Sequence, residues 1–216
     1  MRADLSLLPA DVLVKTGDVD HADWNHKPVI GTIQKMRYRL VQSLLAGSKF
    51  NRLLEVGYGS GVFLPELSKR TKELFGIDIH RHSDKVSDIL RQRGVDARLS
   101  TASMTGMPFD NDYFDCVVTV SSLEFVDDVR AASREVSRVL SPEGVFVVIT
   151  PGRSAIVDLG LKVLTGEDAN KDFGRRRELI LPALKEMFRV EESLNRPRYV
   201  SGLVNLYTGL RLTHRN

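Results

Sequence analysis

The stretch Leu53–Phe63, which reads LLEVGYGSGVF, decides how the rest of the chain is interpreted. An apolar run carries one acid, Glu55, and leads into three glycines at alternate positions, Gly57, Gly59 and Gly61. Glycines let a backbone turn sharply and approach a ligand closely, and such a turn between a strand and a helix lies at the carboxyl edge of a sheet. The stretch therefore predicts a small-molecule site at the end of a buried strand.

The residues that follow the glycines discriminate between classes of ligand. A phosphate-binding P-loop needs a lysine followed by serine or threonine, whereas Val62 and Phe63 stand here. A dinucleotide fingerprint would place Val62 where a small residue is required. Asp78 ends the next strand candidate, about 20 residues beyond the first glycine, where this type of fold sets an acid against ribose hydroxyls. An adenosine-containing ligand is expected. Glu55, just before the loop, favours an adenosine-containing ligand that also carries a cationic group. NAD remains an alternative ligand.

Apolar, β-rich runs alternate with helix-period segments from residue 51 onward, as is typical of βα units around a parallel sheet. The strand candidates are Arg52–Gly57, Glu73–Ile79, Val95–Thr101, Asp115–Ser122 and Gly144–Thr150, and the helix candidates are Val62–Thr71, His82–Arg93 and Asp127–Leu140. After a helix over Phe173–Met187, the runs Phe188–Leu194 and Gly202–Thr213 predict an antiparallel strand pair. We expect an α/β fold: a doubly wound, Rossmann-like, seven-stranded mixed sheet, mostly parallel and flanked by helices.

The N-terminal part is interpreted as a cap on this sheet. Ile33, Met36, Leu40 and Leu44 form one stripe, which predicts a helix over Ile30–Leu45 that packs on the core. We expect one globular unit in which residues 1–50 form the cap segment and its helix, and residues 51–216 form the ligand-binding domain. Residues 152–173 suit either a lid over the site or ordinary core packing.

Composition excludes several classes of protein. With 216 residues, 42% of them hydrophobic and 27% charged, the chain suits one globular domain and not a disordered or fibrous protein. No apolar run approaches the roughly 18 residues of a membrane span, and no secretory signal is recognised, so a cytoplasmic location is expected. Cys116, the single cysteine, is expected to be a buried hydrophobe. No metal site is expected, because His80 and His82 lack further ligands at useful spacing.

Four motifs, in order, resemble one enzyme family. They are LLEVGYGSG from Leu53, GIDI from Gly76, MPFDNDYFDCVVTVSSLEFVDD from Met107 and LSPEGVFVVITP from Leu140. The chain is similar to class I S-adenosylmethionine-dependent methyltransferases of type 11, the group that includes the ubiquinone and menaquinone biosynthesis enzymes. The resemblance covers residues 51–151, and it implies S-adenosylmethionine as cofactor and S-adenosylhomocysteine as product.

The resemblance also implies which residues contact the cofactor. These positions are Glu55, Gly57, Tyr58, Gly59, Gly61, Asp78, Ile79, Ser103, Met104, Val120 and Ser121. The glycines would line its methionine portion, Glu55 would organise the loop and the ammonium, and Asp78 would hold the ribose. Ile79, Ser103 and Met104 would lie along the adenine, and Val120 and Ser121 would face the donor methyl. Phe125 stands where the family commonly has a histidine, so a role built on that histidine is absent.

Each acid also has a structural interpretation. Glu55 could form a salt bridge with a neighbouring helix, and Asp78 could cap the helix that begins near His82. Asp115, at the start of its strand, is expected to make a structural hydrogen bond and is assigned no chemistry.

Methyl transfer from a sulfonium is an in-line displacement that alignment and exclusion of water can promote. A general base is needed only when the acceptor must lose a proton. The candidates are His21, His26 and Glu124, and Trp24 between the two histidines could stack on a flat acceptor. Glu124 could equally cap the helix from Asp127. The resemblance favours a small, partly apolar acceptor.

Three alternatives stay open. A nucleic-acid methyltransferase would use the C-terminal arginines, but neither an N/D-P-P-Y/F tetrad nor a P-C nucleophile follows the fourth strand candidate, so no nucleic acid partner is expected. A cofactor-binding protein without transferase activity is possible because no indispensable catalytic side chain is visible. A nicotinamide oxidoreductase is the third. The oligomeric state is left open.

Overall fold

The computed structural model describes residues 4–17, 21–152, 179–197 and 205–215. Its strands form one seven-stranded sheet in the order β3-β2-β1-β4-β5-β7-β6. They are β1 Phe50–Val56, β2 Thr71–Asp78, β3 Arg98–Thr101, β4 Phe114–Val120, β5 Leu140–Pro151, β6 Phe188–Arg196 and β7 Tyr207–His214. The first five strands pair in parallel, and β7 runs antiparallel to both β5 and β6. The predicted fold class is confirmed.

Helices cover both faces of this sheet. The described α-helices are α1 Pro28–Leu44, α2 Leu64–Ser68, α3 Ser83–Arg91 and α4 Val129–Val139. Residues 179–187 are also helical, and 3-10 turns span Ala10–Val12, Ala22–His26 and Leu123–Phe125. Helices α1, α2 and α3 pack on one face, whereas α4 and the helix over 179–187 pack on the other. The sheet is therefore buried on both sides, as its apolar central strands require.

The apolar stripes predict the helix faces well. Ala132, Val136 and Val139 of α4 are completely buried, because their side chains share one face of the helix. Leu40 and Leu44 of α1 are buried in the same way against the opposite side of the sheet. Where the helical period is strong, the face that covers the core follows from the sequence.

Element ends differ from the sequence expectations where backbone geometry intervenes. Helix α2 ends at Ser68 instead of Thr71, because Thr71 already pairs with Phe50 as the first residue of β2. Strand β4 ends at Val120 instead of Ser122, since the next residue adopts a left-handed conformation. Strand β5 begins at Leu140, four residues early, and its register shifts before the regular pairing resumes.

The N-terminal segment packs on the core beside α2. Leu8 is buried, and its backbone N–H donates to the carbonyl of Val62 at 3.0 Å. The Ser6 backbone N–H donates to Glu66 Oε2 at 2.9 Å. These contacts carry the first described residues toward the loop after β1.

Some sequence expectations lie outside the described residues. They are the segment 153–173, the first part of the helix expected over Phe173–Met187 and the beginning of the strand expected from Gly202. Within the described residues, no helix is long and apolar enough to cross a bilayer.

Asp115 lies near the start of β4, at the end of the sheet opposite to the expected ligand site. Its two carboxylate oxygens accept from the backbone N–H groups of Asn51 at 2.7 Å and Arg52 at 2.9 Å, which confirms the expected structural role. The carboxylate thereby joins the starts of β1 and β4.

Replacing Asp115 with alanine removes the acceptor for both N–H groups, so Asp115→Ala should lower the free energy of unfolding by about 2 kcal/mol. Chemical denaturation measures this, and the exposed Asp96→Ala variant serves as control. An equal effect of both substitutions would contradict the assigned role.

Candidate functional site

A cavity of about 810 Å³ opens at the carboxyl ends of the central parallel strands. It lies where the strand order reverses, between β1 and β4, which is the usual ligand position in an open α/β sheet. The loop after β1 and the turn after β4 both contribute to its wall. The site is therefore produced by strand order, and not by any one segment.

The loop after β1 needs its glycines for two different reasons. Gly57, Gly59 and Gly61 all adopt left-handed φ angles, of +77°, +53° and +73°. A side chain at Gly57 would collide with that of Ser122, which comes from the turn after β4. A Cβ on Gly61 would lie 2.8 Å from Val86 Cγ1 of α3. Gly61 thus faces a helix, and it is not among the described residues that line the cavity, unlike the other two glycines.

Glu55 is buried in the wall of the cavity, with 3% of its surface exposed. Its Oε2 atom has no hydrogen-bond partner among the described residues. Burial raises the pKa of this carboxyl from 4.5 to about 8, the nearby charge of Asp78 adds to the rise, and Arg37 opposes it. A desolvated carboxyl with an unused oxygen suits a cationic ligand group.

Asp78 ends β2 beside the glycine loop. Its Oδ2 atom accepts from the backbone N–H of Gly59 at 2.8 Å, and its Oδ1 accepts from the N–H of His80 at 3.4 Å. Helix α3 begins at Ser83 without a side-chain cap, so Asp78 does not cap it. The carboxylate faces the cavity and is only 15% exposed.

The residues expected along an adenine ring lie together on this side of the cavity. Ile79 is 77% exposed, which is unusual for so large an apolar side chain, while Met104 is buried. Ser103 also lines the cavity, and its hydroxyl is 2.8 Å from that of Thr105. Apolar side chains in this part of the lining suit a flat ring.

The turn after β4 is strained and touches the glycine loop. Val120 and Ser121 line the cavity. Ser121 has a φ of +54°, and its buried hydroxyl has no hydrogen-bond partner among the described residues. The hydroxyl of Ser122 is 3.4 Å from the carbonyl oxygen of Gly57. Non-glycine residues with positive φ persist where the surrounding structure requires them, which is common at functional sites.

The three candidates for a general base differ in whether they line the cavity. His21 and Trp24 line the cavity and stack with ring centres 4.2 Å apart. Glu124 also lines it, is buried, and accepts from the hydroxyl of Thr150 at 2.9 Å. His26 is exposed at the end of a 3-10 turn and does not belong to the described lining. No group of three or more histidine, cysteine or acidic residues suited to a metal occurs in the described chain.

Several lining residues escaped the sequence analysis. Arg37 of α1 is the one lysine or arginine in the described lining. One of its terminal nitrogens donates to the Tyr38 hydroxyl at 3.1 Å, while its Nε atom is buried with no hydrogen-bond partner among the described residues. Tyr207 of β7 donates to Gln34 at 3.4 Å nearby. No local motif marks these residues, because α1 and β7 reach the site only through tertiary packing.

Comparison with known families agrees with this geometry. Residues 54–148 match a family model described as "Methyltransferase domain". Residues 54–148 thus form a domain of the methyltransferase type. The resemblance seen in the four motifs is confirmed, and with it the family's cofactor, S-adenosylmethionine.

Curated relatives share this domain over part of their length. The uncharacterized methyltransferase YcgJ of Bacillus subtilis is 31% identical over 101 residues, covering 46% of this chain and 40% of the relative. The rat mitochondrial arginine-hydroxylase NDUFAF5 is 30% identical over 115 residues, covering 51% and 32%. The ubiquinone/menaquinone biosynthesis C-methyltransferase UbiE of Pseudomonas aeruginosa is 30% identical over 125 residues, covering 55% and 49%. The matched region thus spans at most about half of each of these relatives.

Solved structures share the fold. The N-methyltransferase NodS of Bradyrhizobium japonicum, crystallised with S-adenosylhomocysteine, superposes with a TM-score of 0.61 at 16% identity. The superposition covers 92% of this chain and 90% of NodS. At this identity the likeness concerns the fold alone.

The raised pKa of Glu55 predicts how stability depends on pH. The folded protein retains a proton on this carboxyl up to about pH 8, whereas the unfolded chain releases it near 4.5. The contribution of Glu55 to stability is therefore present below pH 4.5 and is lost as pH rises through 8. Glu55→Gln removes this dependence, so the ligand-free variant should be more stable than the wild type by about 2–4 kcal/mol at pH 8, with a smaller difference at pH 5.

Denaturation of both proteins across this pH range measures the difference. If the free energy of unfolding changed with pH in the same way in both proteins, the carboxyl of Glu55 would titrate normally and the prediction would be wrong.

Proposed function

We propose that this protein is an S-adenosylmethionine-dependent methyltransferase that transfers a methyl group to a small, partly apolar acceptor by in-line displacement. The observation that carries the proposal is the buried Glu55 carboxyl, whose free oxygen lines the same cavity as Asp78 and the glycine loop. A cytoplasmic location, expected from the sequence, stays a prediction.

The lining residues fit the cofactor group by group. Glu55 would stabilise the positive charge of the methionine end, because ionisation of this desolvated carboxyl is favoured only beside a cation. Asp78 would accept from the ribose hydroxyls through Oδ1, since Oδ2 is held by the Gly59 amide. Ile79 and Met104 would contact the adenine. When bound, S-adenosylmethionine supplies a methyl group on a positively charged sulfur.

Arg37 completes a site for an amino-acid group. Its buried Nε–H needs an acceptor, and a guanidinium binds a carboxylate with paired hydrogen bonds. The charge of Arg37 also opposes the rise in the Glu55 pKa, so the two groups lie within electrostatic range of each other. A cation site and an anion site side by side suit the ammonium and carboxylate of methionine.

The rest of the cavity would hold the acceptor. Trp24, Phe125 and Tyr207 contribute aromatic surface to the lining. A volume of about 810 Å³ lies in the range of small-molecule sites, roughly 300–1,000 Å³. These residues would align a flat or apolar acceptor and keep water out, which are the main requirements of methyl transfer. His21 and Glu124 both line the cavity, and they would take a proton where the acceptor has one to lose.

One alternative has an observation in its favour. The relative NDUFAF5 is named an arginine hydroxylase, so the domain occurs in a protein named for a reaction other than methyl transfer. This chain could likewise bind the cofactor without transferring its methyl group.

Calorimetric titration with S-adenosylmethionine, S-adenosylhomocysteine and NAD tests the proposal. We expect dissociation constants on the order of micromolar for the first two, and at least about tenfold weaker binding in Asp78→Ala, with Asp96→Ala as the control. Transfer of a labelled methyl group to a panel of small acceptors then tests catalysis. Preferential binding of NAD would contradict the proposal, and cofactor binding without transfer across the panel would favour the alternative.

Arg37 can be tested with a cofactor analogue that lacks the carboxylate. Decarboxylated S-adenosylmethionine keeps the ammonium, so the wild type should bind it about 10- to 100-fold more weakly than S-adenosylmethionine. Arg37→Gln should bind both ligands with similar, weak affinity, whereas Glu55→Gln should weaken both and keep the preference. An unchanged preference in Arg37→Gln would remove this residue from the cofactor site.

A further inference from the structure

His80 lies two residues beyond Asp78, in the wall of the cavity. Its side chain is 7% exposed, although it is polar and belongs to a loop. The ring contacts Tyr58 edge-on, with ring centres 5.0 Å apart at 85°. Burial of this kind indicates that the imidazole has a specific partner.

Both ring nitrogens of His80 are occupied by backbone groups. The N–H of His82 lies 3.1 Å from Nδ1, and the carbonyl oxygen of Gly59 lies 2.8 Å from Nε2. An amide N–H can only donate and a carbonyl can only accept, so Nδ1 is the acceptor and Nε2 carries the hydrogen. The surroundings thus select one neutral tautomer, in which His80 donates to the glycine loop.

The middle glycine of the loop is therefore held from both sides. Its N–H donates to Asp78 Oδ2 at 2.8 Å, and its carbonyl accepts from His80. His80 is itself anchored, because its carbonyl accepts from the hydroxyl of Thr101 in β3 at 2.8 Å. Gly59, whose φ is +53°, is thus attached to the ends of β2 and β3 and not only to its own strand.

We propose that His80 is a positioning residue that keeps the glycine loop in its ligand-binding conformation before the cofactor arrives. The inference rests on the proposed function, because it assumes that the cofactor binds along this loop. A loop with three glycines has many accessible conformations, and fixing them on binding weakens affinity. A loop that is already held avoids this loss.

Substitutions at His80 can separate the two hydrogen bonds. His80→Gln places an amide nitrogen near the position of Nε2 and keeps the donor to Gly59. His80→Asn retains an acceptor near Nδ1 but is too short to reach Gly59, and His80→Leu removes both bonds while filling the space. His82→Gln is the matched control, because the His82 ring is exposed and its hydrogen bond to His80 comes from the backbone N–H, while the two ring centres lie 5.7 Å apart.

Calorimetric titration with S-adenosylhomocysteine, together with thermal unfolding, tests the proposal. We expect about tenfold weaker binding for His80→Asn and His80→Leu, and a change of less than about threefold for His80→Gln and His82→Gln. Amide exchange in the ligand-free proteins gives a second readout. The Gly59 N–H should exchange faster in His80→Leu than in the wild type, with no comparable change in the central strands.

The outcomes separate the two proposals. Equal affinity of the wild type and His80→Leu, or slow exchange of Gly59 in that variant, would overturn the positioning role. So would His80→Gln binding as weakly as His80→Leu, because the loop bond would then not be the cause. A wild type that does not bind S-adenosylhomocysteine would instead contradict the proposed function.

Discussion

The buried carboxyl of Glu55 is the constraint around which this molecule is arranged. A carboxyl removed from water must either remain protonated or find a positive charge, and no strong hydrogen bond compensates its Oε2 atom within the described chain. Such a group destabilises the ligand-free fold. Glu55 is the second-last residue of β1 and faces a cavity that also contains Arg37, so a cationic ligand group would offset the cost of its burial.

The loops around that carboxyl hold one another through contacts between distant segments. Ser122, in the turn after β4, occupies the space that a side chain at Gly57 would need. At the end of β2, Asp78 accepts from the backbone N–H of Gly59, and His80 donates to the backbone carbonyl of the same residue. The loop after β1 depends on such contacts most, because glycine-rich segments lose much conformational entropy when they become ordered. These contacts join the ends of three neighbouring strands, β2, β1 and β4, around the cavity.

Most of the architecture could be predicted from periodicity, and several residues of the cavity lining could be predicted from spacing. Apolar stripes predicted the buried faces of α1 and α4, and the parallel βα pattern predicted the edge at which the ligand site lies. Glu55 and Asp78 were identified by their positions relative to the glycine loop, one just before it and the other at the end of the next strand. The exact ends of β4 and α2 were missed, since they depend on a left-handed turn and on strand pairing. Gly61 was expected at the cofactor, which stays a prediction; a side chain at this position would meet Val86 of α3, a contact that the sequence did not indicate.

What the sequence by itself determined is local: a strand, a tight glycine loop, a helix, and an acid at the end of the next strand. The tertiary structure alone decided that Arg37 of α1 and Tyr207 of β7 line the same cavity as that loop. It also decided that His80 donates to Gly59, a contact that no spacing rule contains. The physical reason is that periodic patterns report which side of an element is buried. Which polar groups meet at the ends of strands depends on strand order and register, and these are set by the packing of the whole sheet.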